Sequence, residues 1–326
     1  MANEMGTQTP VTFDNRQGQR LVGVLHTPNG TPGDLVLMLL SPGVKMRVGP
    51  QGLYRRMADE FLAMGISVLR FDFHGLGDSD GRLPEELLRD VYNHIEVGRY
   101  VEDTVDAMNW MERRYGSRRF ILSGLCGGAI TGLLTGERDP RVVGLIGLGI
   151  TPVLAARSAD ASRYMTVGQL HDSQKRYLKR LLSPRAWFRL LTFQTDNRLI
   201  GRLLAMWWRR MLGTPVTATA QPLADDNSNP RFPPAYFSML ATHRPMLLVF
   251  GGADRLRWEF EEKFVQRHRE RLASLPALSE LHIIELANHV LSLREWQLEM
   301  LDVSRRWMHT HFREDLATAG PAAERG

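Results

Sequence analysis

The chain has 326 residues, of which 43% are hydrophobic and 24% charged, and 41 Lys and Arg against 36 Asp and Glu give a formal net charge of +5. This length suits one large α/β domain with an inserted subdomain, and no apolar run is long enough to span a membrane. The first ten residues lack the basic start and apolar stretch of a secretory signal, and the one cysteine cannot form an internal disulfide, so we expect a cytoplasmic protein.

Short apolar runs rich in Val, Ile and Leu alternate with stretches of helical periodicity along most of the chain. This alternation is typical of a mostly parallel sheet covered by helices on both faces. About eight strands are predicted, at residues 11–13, 21–27, 35–40, 67–73, 120–123, 142–148, 246–250 and 281–285. Helices are predicted at residues 52–64, 101–115, 127–135, 259–273 and 293–311.

The alternation of strands and helices stops after Gly149 and resumes at Met246. No convincing strand is found in the stretch between these residues, which indicates an insertion into the α/β core. The predicted division is a flexible N-terminus at 1–10, a core at 11–150 and 240–314, a helical lid at 151–239 and a disordered tail at 315–326.

The excess positive charge belongs to the predicted insertion. Residues 168–213 contain ten basic residues and only two aspartates, beside many large apolar residues. Apolar side chains between Leu199 and Met211 recur at helical spacing and predict an amphipathic helix. Two interpretations stay open. The insertion is a lid over an apolar acyl-binding cleft, with weak contact to an anionic membrane surface or an acidic acyl carrier, or it is a solvated helical cap.

A predicted strand turns directly into a predicted helix at Cys126, with the pattern Gly-x-Cys-x-Gly from Gly124 to Gly128. This pattern is typical of a nucleophile elbow, here with cysteine in the position of serine. Glycine at the flanking positions allows close backbone approach, and the start of a helix favours a thiolate. The alternative is a small buried cysteine without a chemical role. We predict that Cys126 is the nucleophile.

A cysteine nucleophile needs a base, and the base needs an orienting carboxylate. Where the nucleophile lies on such an elbow, the chain order is nucleophile, acid, histidine. Asp254 directly follows the seventh predicted strand, and His289 follows the eighth. Both therefore lie at the sheet edge to which the elbow points, and we predict Asp254 as the acid and His289 as the base. Asp225 and Asp226, in the segment that returns from the insertion, are alternatives for the acid.

The negative charge that develops on a carbonyl oxygen under attack needs hydrogen-bond donors fixed in advance. One predicted donor is the backbone N–H of Gly127, directly after the nucleophile. The second is expected from the turn after the third strand. Pro42 has no N–H and is excluded, so the second donor is Gly43 or Val44.

Three other features of the sequence have both a structural and a functional interpretation. Lys45 and Arg47 are either solvated charges or ligands for a substrate carboxylate or phosphate. The glycine-rich segment 69–81 lacks the Lys-Ser or Lys-Thr of a phosphate-binding loop, so we interpret it as a structural turn. The spacing of His309 and His311 alone does not indicate a metal, and we expect no metal or organic cofactor.

The elbow, acid and base together resemble the α/β-hydrolase superfamily over residues 11–312. The resemblance implies an α/β-hydrolase fold with an inserted helical lid. Within the superfamily, the Gly-Leu-Cys-Gly-Gly-Ala elbow at 124–129, combined with residues 47–49 and 69–72, is most similar to bacterial hydrolases found alongside exosortase A systems. Dienelactone hydrolases and polyhydroxyalkanoate synthases also have cysteine at the elbow.

The sequence therefore predicts a hydrolase that cleaves an ester, thioester or lactone through a covalent acyl-Cys126 intermediate. An acyltransferase or ester-forming biosynthetic enzyme would use the same intermediate with an alcohol or amine as acceptor. A third hypothesis is a binding protein without catalytic activity, and the complete set of nucleophile, acid and base argues against it. The expected partner is a small acyl substrate, free or carried on an acyl carrier or coenzyme A, and no nucleic acid. Substrate identity and oligomeric state stay open.

Overall fold

The computed structural model describes residues 6–28, 30–155, 226–275 and 278–318. Most of the predicted insertion, including its amphipathic helix and Asp225, lies outside these residues. The described elements are, in chain order, β1 (Thr7–Asp14), β2 (Arg20–Thr27), β3 (Leu35–Leu40), α1 (Leu53–Ala63), β4 (Ser67–Phe71), α2 (Leu88–Glu96), α3 (Val101–Tyr115), β5 (Arg119–Leu125), α4 (Gly127–Arg138), β6 (Val142–Leu148), α5 (Phe232–Ala241), β7 (Met246–Gly251), α6 (Arg255–Phe260), α7 (Arg269–Ala273), β8 (Ser279–Ile284), α8 (Arg294–His311) and α9 (Arg313–Thr318).

The strands form one eight-stranded sheet in the order β1-β2-β4-β3-β5-β6-β7-β8. The first two pairings, β1 with β2 and β2 with β4, are antiparallel, and all later pairings are parallel. Every residue of β3, β4 and β7 is buried. Strands covered on both faces need apolar side chains on both faces, which is why β3 and β7 read as continuous apolar runs. The predicted eight-stranded, mostly parallel sheet is confirmed.

Two apolar layers enclose the sheet. On one face, side chains of α2, α3, α4 and α5 pack with Phe71, Phe120 and Leu248. On the other face, α1 and α8 pack with strand residues that include Leu39 and Ile121. Neighbouring residues of one strand point to opposite faces, so each central strand contributes to both layers. Within the described residues, no helix is long and apolar enough to cross a bilayer.

The strand order changes direction at β3, which lies between β4 and β5. α1 and α4, which follow β3 and β5, pack on opposite faces of the sheet. Open α/β sheets commonly bind ligands at such a change of direction, beyond the carboxyl ends of the strands. Gly43 and Cys126 lie in the turns that follow β3 and β5, at this edge of the sheet.

Both ends of the described chain are more ordered than predicted. β1 begins at Thr7 and pairs with β2 along its whole length, so residues 7–10 are strand rather than flexible terminus. Their side chains are exposed on both faces, and such an edge strand has no apolar pattern to detect. At the other end, α9 continues to Thr318, so the predicted disordered tail begins too early at 315.

Besides α9, two helices, α2 and α5, were absent from the prediction. α2 has only nine residues, and its apolar spacing, which buries Val91 and Ile95, covers little more than two turns, too short a window for a reliable helix prediction. α5 lies across the predicted lid boundary at 239, yet its buried aromatic residues belong to the core. Its two prolines suggested a loop, but they occupy the first helical turn, where a missing N–H removes no helical hydrogen bond. The core therefore resumes before residue 240.

Candidate active site

Cys126 lies between the end of β5 and the start of α4 in a strained backbone conformation, with φ 55° and ψ −112°. Its N–H donates to the carbonyl of Leu148, 2.8 Å away, which anchors the turn to β6. A Cβ on Gly124 would lie 2.5 Å from the carbonyl carbon of Gly128, and one on Gly128 would lie 2.3 Å from the carbonyl oxygen of Leu40. The flanking glycines are therefore required by close backbone contact.

Asp254 and His289 form a hydrogen-bonded pair at the same sheet edge. Asp254 directly precedes α6 and is 4% exposed, and its Oδ1 accepts the N–H of Leu256 at 3.0 Å. Its Oδ2 lies 2.7 Å from Nδ1 of His289, whose side chain is 33% exposed. Asp226, the described alternative for the acid, accepts the N–H and hydroxyl of Ser228 at 3.1 and 2.7 Å. Asp254 is thus a hydrogen-bond partner of His289, as predicted from their positions after successive strands.

Opposing effects set the protonation of His289. Burial disfavours the charged imidazolium, whereas hydrogen bonds with Asp254 and Cys126, and the negative charge of these groups, favour it. The favourable effects are larger and raise the pKa of His289 to about 10. The imidazole is therefore protonated near neutral pH, beside the sulfur of Cys126. An adjacent imidazolium is an arrangement that activates cysteine nucleophiles.

The turn after β3 lies against the first residue of α4. A Cβ on Gly127 would lie 2.9 Å from Cα of Gly43, so the two glycine backbones are in contact. Gly43 has a φ of 61°, and the N–H of Lys45 closes the turn by donating to the carbonyl of Pro42 at 3.1 Å. Gly127 is the first residue of α4, where an N–H has no partner within the helix. Gly43 and Gly127 are thus together beside the elbow, and the half-buried Val44 adjoins Gly43.

Arg47 is held by acidic side chains. Its backbone N–H donates to Oδ1 of Asp72 at 2.5 Å, and its guanidinium contacts Asp72 and donates to Asp78 at 2.6 Å. Asp72 is fully buried, and a Cβ on Gly77 would lie 2.1 Å from its Oδ2. Arg47 therefore ties the turn after β3 to the glycine-rich turn after β4, which agrees with a structural role for both. Lys45 is exposed.

Tyr92 of α2 lies against the turn after β3, and Glu96 follows it by one helical turn; neither was among the predicted site residues. A Cβ on Gly43 would lie 2.9 Å from Cε1 of Tyr92, so the ring covers the turn after β3. Burial, followed by the charges of Cys126 and Glu96, raises the pKa of Tyr92. Burial also raises the pKa of Glu96 to about 8. Because the prediction lacked α2, nothing in the sequence placed either side chain here.

Gly149, directly after β6, was also missed. Its φ is 52°, and its N–H donates to the carbonyl of Val249 at 2.8 Å. A Cβ on Gly149 would lie 2.9 Å from Nδ1 of His289 and 3.2 Å from Oδ2 of Asp254. The absence of a side chain at Gly149 thus leaves room for the bond between His289 and Asp254.

Replacing Gly149 with alanine is expected to lower kcat/KM by roughly 10- to 100-fold, because the new methyl group displaces His289 from Asp254. Esterase assays and thermal melts of the purified variant would test this. Gly116→Ala is a matched control: Gly116 has a φ of 80°, and nothing lies within 4 Å of its Cβ position. This control should lose stability by about 1 kcal/mol from backbone strain and keep its activity. Equal activity of the two variants would contradict the contact between Gly149 and the His289 ring.

The arrangement is suited to acyl transfer. It combines a thiol on a strained turn, an imidazole bonded to a buried carboxylate, and backbone N–H groups at the start of a helix. In the part of the chain that the structure describes, no group of three or more His, Cys, Asp or Glu side chains could hold a metal ion.

Known proteins are similar to this chain in sequence pattern and in fold. A family model described as "Alpha/beta hydrolase family" matches residues 39–300. Among solved structures, an esterase from Pyrococcus furiosus superimposes with a TM-score of 0.57 and 16% identity, over 94% of this chain and 92% of the esterase. The alpha/beta hydrolase GrgF from a Penicillium species gives a TM-score of 0.52 and 18% identity, over 94% and 99% of the two chains. These structural likenesses show the fold. No curated protein matches the chain in sequence.

Proposed function

The chain belongs to the alpha/beta hydrolase family, and we propose that this enzyme cleaves an ester, thioester or lactone through a covalent acyl intermediate on Cys126. The observation that carries the proposal is the 2.7 Å bond between Asp254 and His289, together with the interaction of His289 with Cys126 at the elbow. A cysteine, an imidazole and a carboxylate in this order are the parts that nucleophilic acyl transfer requires.

In the proposed first half-reaction, the thiolate of Cys126 attacks the carbonyl carbon and forms a carbon–sulfur bond. The carbonyl π electrons move to the oxygen, which accepts hydrogen bonds from the N–H of Gly127 and of Gly43 or Val44. As the tetrahedral intermediate collapses, the bond to the leaving group breaks. Protonated His289 gives its proton to the departing alkoxide or thiolate, and the acyl group stays on the sulfur.

In the proposed second half-reaction, neutral His289 takes a proton from water while the water oxygen attacks the thioester carbon. The same N–H groups bind the oxygen of the second tetrahedral intermediate. Its collapse expels the Cys126 thiolate, releases the carboxylic acid and leaves His289 protonated beside the sulfur. Asp254 keeps the ring oriented through both half-reactions and stabilises its positive charge.

An acyltransferase is the second candidate, and it is favoured specifically by cysteine at the elbow. A thioester on Cys126 is a good acyl donor to an alcohol or amine as well as to water. An acceptor held in position can gain a large effective concentration, on the order of 10⁵ M or more, and so outcompete water. The acyl group would come from an acyl carrier or coenzyme A.

The residues of the elbow at 124–129 also support a relationship to hydrolases found alongside exosortase A systems.

Intact-mass analysis during incubation with acyl thioesters and p-nitrophenyl esters would test the proposal. We expect a transient mass increase equal to the acyl group, mapped by peptide sequencing to Cys126, together with release of free acid. Alcohols and amines would then be titrated against a fixed donor. Saturable formation of a transfer product that suppresses acid release would replace the hydrolase assignment with an acyltransferase. A protein that gives neither adduct nor cleavage with any donor would refute both.

A further inference from the structure

Tyr54 lies in the first turn of α1, on the face of the sheet opposite α4, and is fully buried. Its N–H donates to the carbonyl of Val48 at 3.2 Å. A Cβ on Gly49 would lie 3.0 Å from Cδ1 of the Tyr54 ring, so the backbone between the turn after β3 and α1 packs directly on this side chain. These contacts fix the ring and leave its hydroxyl pointing toward the strand ends.

The hydroxyl of Tyr54 joins β3 and β5 at the point where they separate. The last paired residues of the two strands are Leu40 and Gly124. Beyond this pair, the hydroxyl donates to the carbonyl of Leu40 at 2.7 Å and accepts the N–H of Leu125 at 2.8 Å. One hydroxyl therefore takes the place of the next interstrand hydrogen bond and holds the strands farther apart than a direct bond would.

The two strand ends lead directly to the proposed oxyanion donors. Gly43 follows Leu40 by three residues, and Gly127 follows Leu125 by two. Because peptide units are planar and rigid, the positions of Leu40 and Leu125 restrict where the following N–H groups can lie. We infer that Tyr54 is a positioning residue that sets the spacing of the two oxyanion donors around the nucleophile. This inference rests on the proposed function.

The hydroxyl is suited to a permanent role. Burial raises the pKa of Tyr54 above its usual value, and the charge of Cys126 adds to this effect, while the bond from Leu125 opposes it. Tyr54 therefore stays protonated across the working range of pH and always donates to Leu40. The Leu40 oxygen is also 2.3 Å from the Cβ position of Gly128, so a shift of this carbonyl would disturb the start of α4 as well.

Tyr54→Phe removes the bridge and keeps the ring. Tyr100→Phe is the matched control, because Tyr100 is also fully buried and its hydroxyl has no hydrogen-bond partner among the described residues. With a p-nitrophenyl ester as probe, we expect Tyr54→Phe to lower kcat by roughly 10- to 100-fold with little change in KM. Iodoacetamide alkylation of Cys126 needs no oxyanion donor, so its rate should change little in Tyr54→Phe. Tyr100→Phe should match the wild type in both assays.

The outcomes separate this inference from the proposed function. If the wild type and Tyr54→Phe are acylated on Cys126 equally fast, the positioning role of Tyr54 is overturned and the proposed function stands. Equal losses of acylation and alkylation in Tyr54→Phe would also overturn it, as would loss of a cooperative melting transition, because the hydroxyl would then serve the fold. Wild-type protein that forms no acyl-Cys126 and cleaves no probe overturns both the proposed function and this inference.

Discussion

Replacing Cys126 with alanine is expected to lower ester and thioester turnover by about 10⁴-fold or more, because the atom that forms the covalent bond is lost. The fold should survive. Alanine keeps a Cβ at the strained φ of 55°, so the backbone strain at the elbow is unchanged. Cys126 is also only partly buried, so loss of its sulfur leaves little cavity. Steady-state kinetics and a thermal melt of the purified variant are the measurements.

Cys126→Ser is the matched comparison. A serine hydroxyl at the same position is a weaker nucleophile than a thiolate and needs His289 to take its proton, so we expect activity between those of wild type and Cys126→Ala. The serine variant should also lose its reaction with iodoacetamide. If folded Cys126→Ala retains substantial activity, Cys126 is not the nucleophile and the acyl-cysteine mechanism fails.

Replacing Asp254 with asparagine is expected to lower turnover by roughly 10³- to 10⁴-fold in a protein that still folds. The amide can occupy the carboxylate position 2.7 Å from Nδ1 of His289, but it carries no charge to stabilise the imidazolium. The pKa of His289 should therefore fall from about 10 toward its ordinary value, as measured by NMR titration of the ring. Asp226→Asn tests the alternative acid and should leave turnover near that of the wild type. A larger loss in Asp226→Asn than in Asp254→Asn would reverse the assignment.

The same pair predicts how stability depends on pH. The folded-state pKa of His289 is raised from 6.5 to about 10, so its stabilisation is fully present below a pH of about 6.5 and is lost as pH rises through about 10. The melting temperature of the wild type should therefore fall over this range. The fall should be smaller in Asp254→Asn, whose imidazole lacks the carboxylate. Thermal melts at closely spaced pH values would show the difference, and parallel curves would indicate that Asp254 does not set the His289 pKa.

Much of the fold followed from patterns within short stretches of the chain. The helix predicted at 101–115 matches Val101–Tyr115, because one face buries apolar residues at helical spacing. The central strands were found because burial on both faces demands continuous apolar runs. β1 was underestimated and α2 and α5 were missed for the converse reason. The exposed side chains of an edge strand, the short length of α2 and the prolines in the first turn of α5 all weaken the local pattern.

The residues of the candidate site were also predicted from local patterns and from strand order. Cys126 and its glycines were identified because a strand that turns directly into a helix brings backbone atoms too close for a Cβ, which restricts residue type at positions adjacent in sequence. Asp254 and His289 were placed by their positions after successive strands, since parallel strands end at one edge. Their catalytic roles stay predictions, but the bond between them is a feature of the structure.

The sequence by itself therefore determined the parallel sheet, the elbow and the sheet edge at which acid and base lie, since each depends on a local period or on strand order. Only the tertiary structure decided that Asp254 bonds to His289, and that Gly149 and Tyr54 lie against the residues of the site. Tyr54 is 71 residues from Leu125, whose N–H donates to the Tyr54 hydroxyl. Contacts over such separations are made by the packing of α1 on the sheet, and no spacing along the chain encodes them.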